Sequence, residues 1–203
     1  MYTRSARSRP TQPGGLVFRI LFLMAVSGTG TLRAQQADCS AMPDSTPIQQ
    51  VGSFSNMRFT EEHAYGYTID LWRAGKCLFG LLEVAQGLVG DTPTGALSPL
   101  QYNQTAGSLV FAAKLTTGVT KPKNATDWVP SRELFQFSGH LGARALKGKL
   151  ERWEKLQPEL PSMEEEVVLP LSRQQQEFMI PAVSYGEWRK QAELILRSRG
   201  PKW

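Results

Sequence analysis

The chain has 203 residues, 41% hydrophobic and 20% charged, which is ordinary globular composition with room for one domain and a sizeable core. Its formal charge of +5 comes from 23 Lys and Arg against 18 Asp and Glu. Five of the basic residues, Arg4, Arg7, Arg9, Arg19 and Arg33, lie in the first 34 positions, so the remainder carries 18 of each sign. That neutrality removes the simplest reason to propose a nucleic-acid partner, which would want a basic face to displace counterions from phosphates.

The first element is a leader. Residues 1–34 hold no acidic side chain, and "ILFLMAVSG" after Arg19 supplies an apolar run of signal-peptide length that is too short to span a bilayer. Ala34 is the expected cleavage point, with Arg33 beside it and Leu32 three places back making the site imperfect. The mature protein is therefore expected to be periplasmic or secreted, without a transmembrane span once the leader is removed.

Residues 35–53 are polar, carry Pro43 and Pro47, show no period, and read as an extended lead-in. Residues 54–203 are expected to form a single β-rich domain. Cys39 and Cys77 are the chain's two cysteines. In an oxidising compartment an even pair at this separation is expected to form a disulfide, the alternative being a buried free Cys77 and an exposed Cys39. Lipid attachment at Cys39 is not expected, because Gln36 and Asp38 stand where a lipoprotein leader has Leu and a small residue.

From Tyr65 the period becomes two. In "YGYTIDLWRAGKCLFGLLEV", Tyr67, Ile69 and Leu71 share a face, Ala74-Gly75 supplies a turn, and Leu78, Gly80 and Leu82 resume that face. A second hairpin follows in "GALSPLQYNQTAGSLVFAAKL", with Leu109, Phe111, Ala113 and Leu115 on one side. The third, "LFQFSGHLGARALKGKLERW", aligns Phe135, Phe137 and Leu141 with Leu146, Gly148 and Leu150 across a Gly-Ala-Arg turn. Glycines inside these strands mark either the bends of a strongly curved sheet or ordinary turn-flanking positions in an open one.

Residues 116–132 read as a long Lys-, Pro- and Asn-containing loop, "MEEE" as a solvated charge run, and "VVLPL" as an edge strand closed by Pro170. The last element is a helix over 184–199. Ser184 and Glu187 form a capping box, Tyr185, Trp188, Ala192 and Ile195 share a face, and Gly200-Pro201 stops it. The expected fold is mainly β: an antiparallel meander of hairpins forming a curved sheet or small barrel, with one C-terminal amphipathic helix. From about Phe54 to Arg199 this plan resembles the calycin or lipocalin-like small β-barrels. The resemblance implies an interior able to hold a small apolar ligand.

Candidate chemistry is sparse. No metal, redox, nucleotide or acyl-transfer motif is present, and no cofactor is expected. Glu61 and His63 could converge on one face of a strand, but two ligands do not make a metal site. His140 is expected to be exposed, and Asp70 and Glu83 to point outward to the surface. Asn103 and Asn124 head glycosylation-type sequons, which matter only in a eukaryotic secretory pathway.

Three readings of function remain. The first is an exported, non-enzymatic module that binds a small apolar ligand around Leu109, Phe111, Phe137 and Leu150, or an envelope protein partner. The second is a structural or interaction domain of the envelope with a filled core. The third is a hydrolase with a loop-borne site. Exported material is expected to begin near Gln35, and an intact mass that still includes Met1 would contradict export through this leader.

Overall fold

The computed structural model describes residues 39, 42–88, 90 and 92–203. The leader at 1–34 lies outside the described residues, as do positions 35–38, 40 and 41 of the lead-in. Alternation of apolar and polar side chains is converted into strands wherever it was expected. The strands are β1 (Gln49–Ser55), β2 (Arg58–Phe59), β3 (His63–Ala74), β4 (Cys77–Leu88), β5 (Thr94–Asn103) and β6 (Ser108–Leu115). They continue with β7 (Val119–Thr120), β8 (Val129–Pro130), β9 (Glu133–Leu141), β10 (Ala145–Glu154) and β11 (Met163–Pro170). The main sheet runs β1-β3-β4-β5-β6-β9-β10-β11, antiparallel at each step, with β2 added beside β3.

This is the expected meander, with differences of detail. β1 begins at Gln49, inside the segment read as lead-in, because a bulge between Gln50 and Gly52 hides its alternation. The long loop at 116–132 contains its own two-stranded ribbon, Val119 facing Pro130 and Thr120 facing Val129. β11 extends back through "MEEE", so that run belongs to an edge strand.

The sheet curves strongly. β5 pairs with β4 through Thr94, Gly95 and Ala96, then shifts register between Leu97 and Leu100 and pairs with β6 up to Asn103. Such a corner lets one strand serve two halves of a bent sheet. On the far half Gly139 faces Gly148, and a Cβ on Gly148 would come within 2.6 Å of Gly139 Cα and 2.8 Å of the Phe137 ring. The glycine pair thus gives the Phe137 ring a flat floor. The curl brings β1 and β11 together at one bridge, Phe54 with Leu171, and the Ser172 N–H donates to Ser53 O at 2.8 Å. The ladder stops there, so the sheet is curved without being a closed barrel.

Two cores result. The concave face buries Phe54, Ile69, Leu82, Phe111, Phe137 and Leu169. The convex face buries Trp72, Phe79 and Leu81 under Met179, Trp188 and Ala192. β3 serves both, Ile69 and Leu71 pointing inward and Trp72 and Ala74 outward, which explains its nearly continuous apolar composition. The covering layer comprises α1 (Arg173–Gln176) and α2 (Tyr185–Arg199). α1 is a single turn capped by Ser172, too short to carry a period and absent from the sequence-based expectation.

α2 matches its expectation closely. Ser184 accepts the Glu187 N–H, and Glu187 in return accepts the Val183 N–H at 3.0 Å. The Trp188 ring centroid lies 4.5 Å from Phe79 and 5.7 Å from Trp72, in tilted geometries that suit aromatic quadrupoles. At the helix start Arg189 pairs with Asp44 at 3.0 Å. Beyond it Trp203 Nε1 donates to Leu115 O at 2.9 Å, under the Lys114 ammonium. Cys39 and Cys77 are bonded, Cα to Cα 5.7 Å, tying the lead-in to the start of β4. A loop of 38 residues makes that bond worth about 4 kcal/mol in the chain-entropy account.

Trp188→Ala is expected to remove about 3 to 5 kcal/mol of stability and Ser184→Ala about 1 kcal/mol, both read from urea midpoints. An unchanged midpoint for Trp188→Ala would show that helix docking contributes nothing to the fold.

Candidate functional site

The inward rows of the strands share a composition gradient. Reading toward one end, β3 passes from Leu71 and Ile69 to Tyr67, β4 from Leu82 and Val84 to Gln86, and β11 from Leu169 and Val167 to Glu165. β10 passes from Leu150 to Arg152, and β9 from Phe137 and Phe135 to Glu133. The apolar concave core therefore ends in a ring of polar side chains where it meets water, as amphipathic rows must.

These side chains satisfy one another across strands. Glu133 is buried and accepts from the Thr117 N–H, the Thr117 hydroxyl and the Ser131 hydroxyl. Arg152 Nε pairs with Glu133 at 3.3 Å, and its Nη1 donates to Gln86 Oε1 at 2.9 Å. The Tyr67 hydroxyl donates to Glu165 Oε2 at 2.9 Å. Burial, then the Glu165 hydrogen bond and its charge, push the Tyr67 phenol up to about 12 against the opposing charge of Arg152. Tyr67 is thus a neutral donor throughout the physiological range.

A cleft of about 440 Å³ opens here, lined by Asn56, Arg58, Tyr65, Tyr67, Gln86 and Glu165, with Gly66 and Ala85 in its wall. Gly66 has φ +118°, and a Cβ there would meet Asn56 Oδ1 at 2.8 Å, so only glycine permits the close approach. The reward is a hydrogen bond from the Tyr67 N–H to Asn56 Oδ1 at 2.8 Å. Arg58 is exposed and makes no ion pair among the described residues.

Leu109, Phe111, Phe137 and Leu150 lie together in the concave core, all within 4% exposure. Phe111 and Phe137 face each other in register and stack at 5.1 Å, and Leu150 pairs with Phe137 from the other side. None of the four lines the cleft. Glu61 and Glu62 are exposed, His63 is half-buried and stacked on Tyr65, and His140 is exposed with its ring beside Gly107. No group of three or more His, Cys, Asp or Glu positioned to hold a metal ion occurs among the described residues.

The cleft residues were not singled out by sequence reasoning, although part of the signal was there. The parity of Val167 and Leu169 puts Glu165 on the inward face, and the parity of Val84 does the same for Gln86. Nothing local announces that β11 comes to face β3 across the curl. Compared with known proteins, the chain matches no family model, no curated protein and no solved structure.

The carboxylates of the first hairpin need a correction. Asp70 and Glu83 do point away from the concave core, but Asp70 is largely buried on the convex side and is no surface group. Burial is the main cause that raises its carboxyl from 3.8 to about 6; nearby Ser53 favours the charged form and Glu83 disfavours it. Ser53 pairs with Asp70 in register, yet Ser53 Oγ and Asp70 Oδ1 both lack a hydrogen-bond partner among the described residues. Glu83 is held by Arg199 at 3.5 Å.

The folded state binds the Asp70 proton more tightly than the unfolded chain does. The resulting stabilisation is full below about pH 4 and is lost as the pH rises through about 6. Asp70→Asn is therefore expected to raise stability by about 2 to 3 kcal/mol at pH 8 and by less than about 1 kcal/mol at pH 4. Urea midpoints of both proteins at the two pH values measure this, and equal midpoints at pH 8 would contradict it.

Proposed function

We propose that the protein is an exported, non-enzymatic binding module, periplasmic or secreted, that holds a small molecule in the cleft at the polar end of its curved sheet. The observation that carries this reading is a cleft of about 440 Å³ in which the polar side chains of Asn56, Tyr67, Gln86 and Glu165 are held by hydrogen bonds to other strands. That volume is in the range of small-molecule sites, and fixed side chains lose little freedom when a ligand arrives. The Cys39–Cys77 disulfide fits an oxidising compartment, and no described helix is long and apolar enough to cross a membrane.

A second reading is favoured by one specific observation. Leu109, Phe111, Phe137 and Leu150 are packed on one another with almost no exposure, as in an envelope interaction domain whose core serves only the fold. The two readings part at the cleft. A fragment library containing neutral, anionic and cationic compounds, screened by amide chemical shifts of the oxidised protein, is expected to move residues 56–58, 65–67, 85–86 and 165 together. Shifts confined to other surfaces, or none, would remove the small-molecule reading and leave the interaction domain.

A further inference from the structure

We infer that the cleft selects an anion: a carboxylate or phosphate group carried on a small planar apolar body. This rests on the small-molecule reading above and adds the chemistry of the occupant. Two of the cleft's side chains are amides with their acceptor ends already committed. Asn56 Oδ1 takes the Tyr67 N–H at 2.8 Å, and Gln86 Oε1 takes Arg152 Nη1 at 2.9 Å. Each amide therefore offers a ligand its NH2 group, a donor. Arg58 adds five N–H donors in a planar fork suited to an oxyanion.

Of the other charges near the cleft, Arg152 is paired and Glu165 makes no ion pair among the described residues. Arg152 is neutralised by buried Glu133 at 3.3 Å, and Glu165 accepts the Tyr67 hydroxyl at 2.9 Å. With Tyr67 held protonated, its hydroxyl proton is spent on Glu165 and the phenol presents no second donor. The unmatched donors come from Asn56, Gln86 and Arg58, the last a cation that lacks an ion pair among the described residues. The half-exposed Tyr65 ring supplies the apolar wall, which suits a flat ligand body. Glu165 is the one group that opposes an anion, and its removal makes a sharp test.

The test uses the oxidised protein and four matched probes, benzoate, phenyl phosphate, benzamide and benzylammonium, titrated while the cleft amide shifts are followed. Benzoate or phenyl phosphate is expected to bind about tenfold or more tightly than benzamide, the difference a charge-assisted contact makes. The stronger of the two identifies the anion. Arg58→Gln is expected to abolish that preference, and Glu165→Gln, which keeps an acceptor for Tyr67, to strengthen anion binding several-fold. Equal binding of benzamide and benzoate in the cleft would overturn the anion inference and keep the small-molecule reading. Preference for benzylammonium, lost in Glu165→Gln, would do the same. No cleft shift with any probe or with the fragment library would overturn both.

Discussion

The packing of Trp188 against Trp72 and Phe79 is the contact on which the rest of the molecule leans. It fixes a helix to the outside of β3 and β4, the two longest strands, and these same strands carry Tyr65, Tyr67 and Gln86 at their far ends. A sheet loaded from one side only could slide or flatten. Buried on both faces, β3 is held in register by Ile69 and Leu71 within and by Trp72 and Ala74 without, since a one-residue slip would exchange the two sets. The polar end of the sheet inherits that rigidity.

Polarity at that end follows from the geometry of a curved sheet. An inward row must be apolar where it is enclosed and polar where the enclosure opens, and five strands make that change. β11 does so at Glu165 opposite Leu150, β10 one inward pair further on at Arg152, and β9 at Glu133 beyond that. The buried carboxylate of Glu133 is the costliest member, and it is provided with three hydrogen bonds and the Arg152 guanidinium. Through Ser131 and Thr117 the same carboxylate anchors both stems of the loop that carries the β7–β8 ribbon. The loop's length is thus tied down at its base, while its tip, with Trp128 exposed, remains in solvent.

Much of this was legible from residue order because strand alternation is local. Leu109, Phe111, Ala113 and Leu115 could be placed on one face by parity, and Ser184, Glu187 and the Trp188–Ala192–Ile195 spacing marked the last helix without any tertiary information. The disulfide was legible from the pairing of two cysteines. What escaped depends on contacts between segments remote in sequence. Tyr67 and Glu165 are 98 residues apart and Arg152 and Gln86 are 66 apart, and no local pattern brings them together. Asp70 was misplaced for a related reason: parity gives the face of a sheet, and whether that face is covered depends on the segment from Ser172 to Arg199, more than a hundred residues later.

The Cys39–Cys77 bond also changes what a cut in the backbone means. It spans β1, β2 and β3, and the exposed bend at Glu61 and Glu62 lies within the closed loop. Proteolytic nicking concentrates at such exposed bends. A break there would divide the chain into two polypeptides, yet the piece carrying β1 would stay covalently attached to β4 and hydrogen-bonded along β3. The nicked molecule can retain Asn56 and Arg58 on one fragment and Tyr65, Tyr67 and Gln86 on the other, joined at a fixed distance by sulfur. Loss of backbone continuity at that bend is therefore a different event from loss of the cleft, and only reduction after cleavage would let the fragments part.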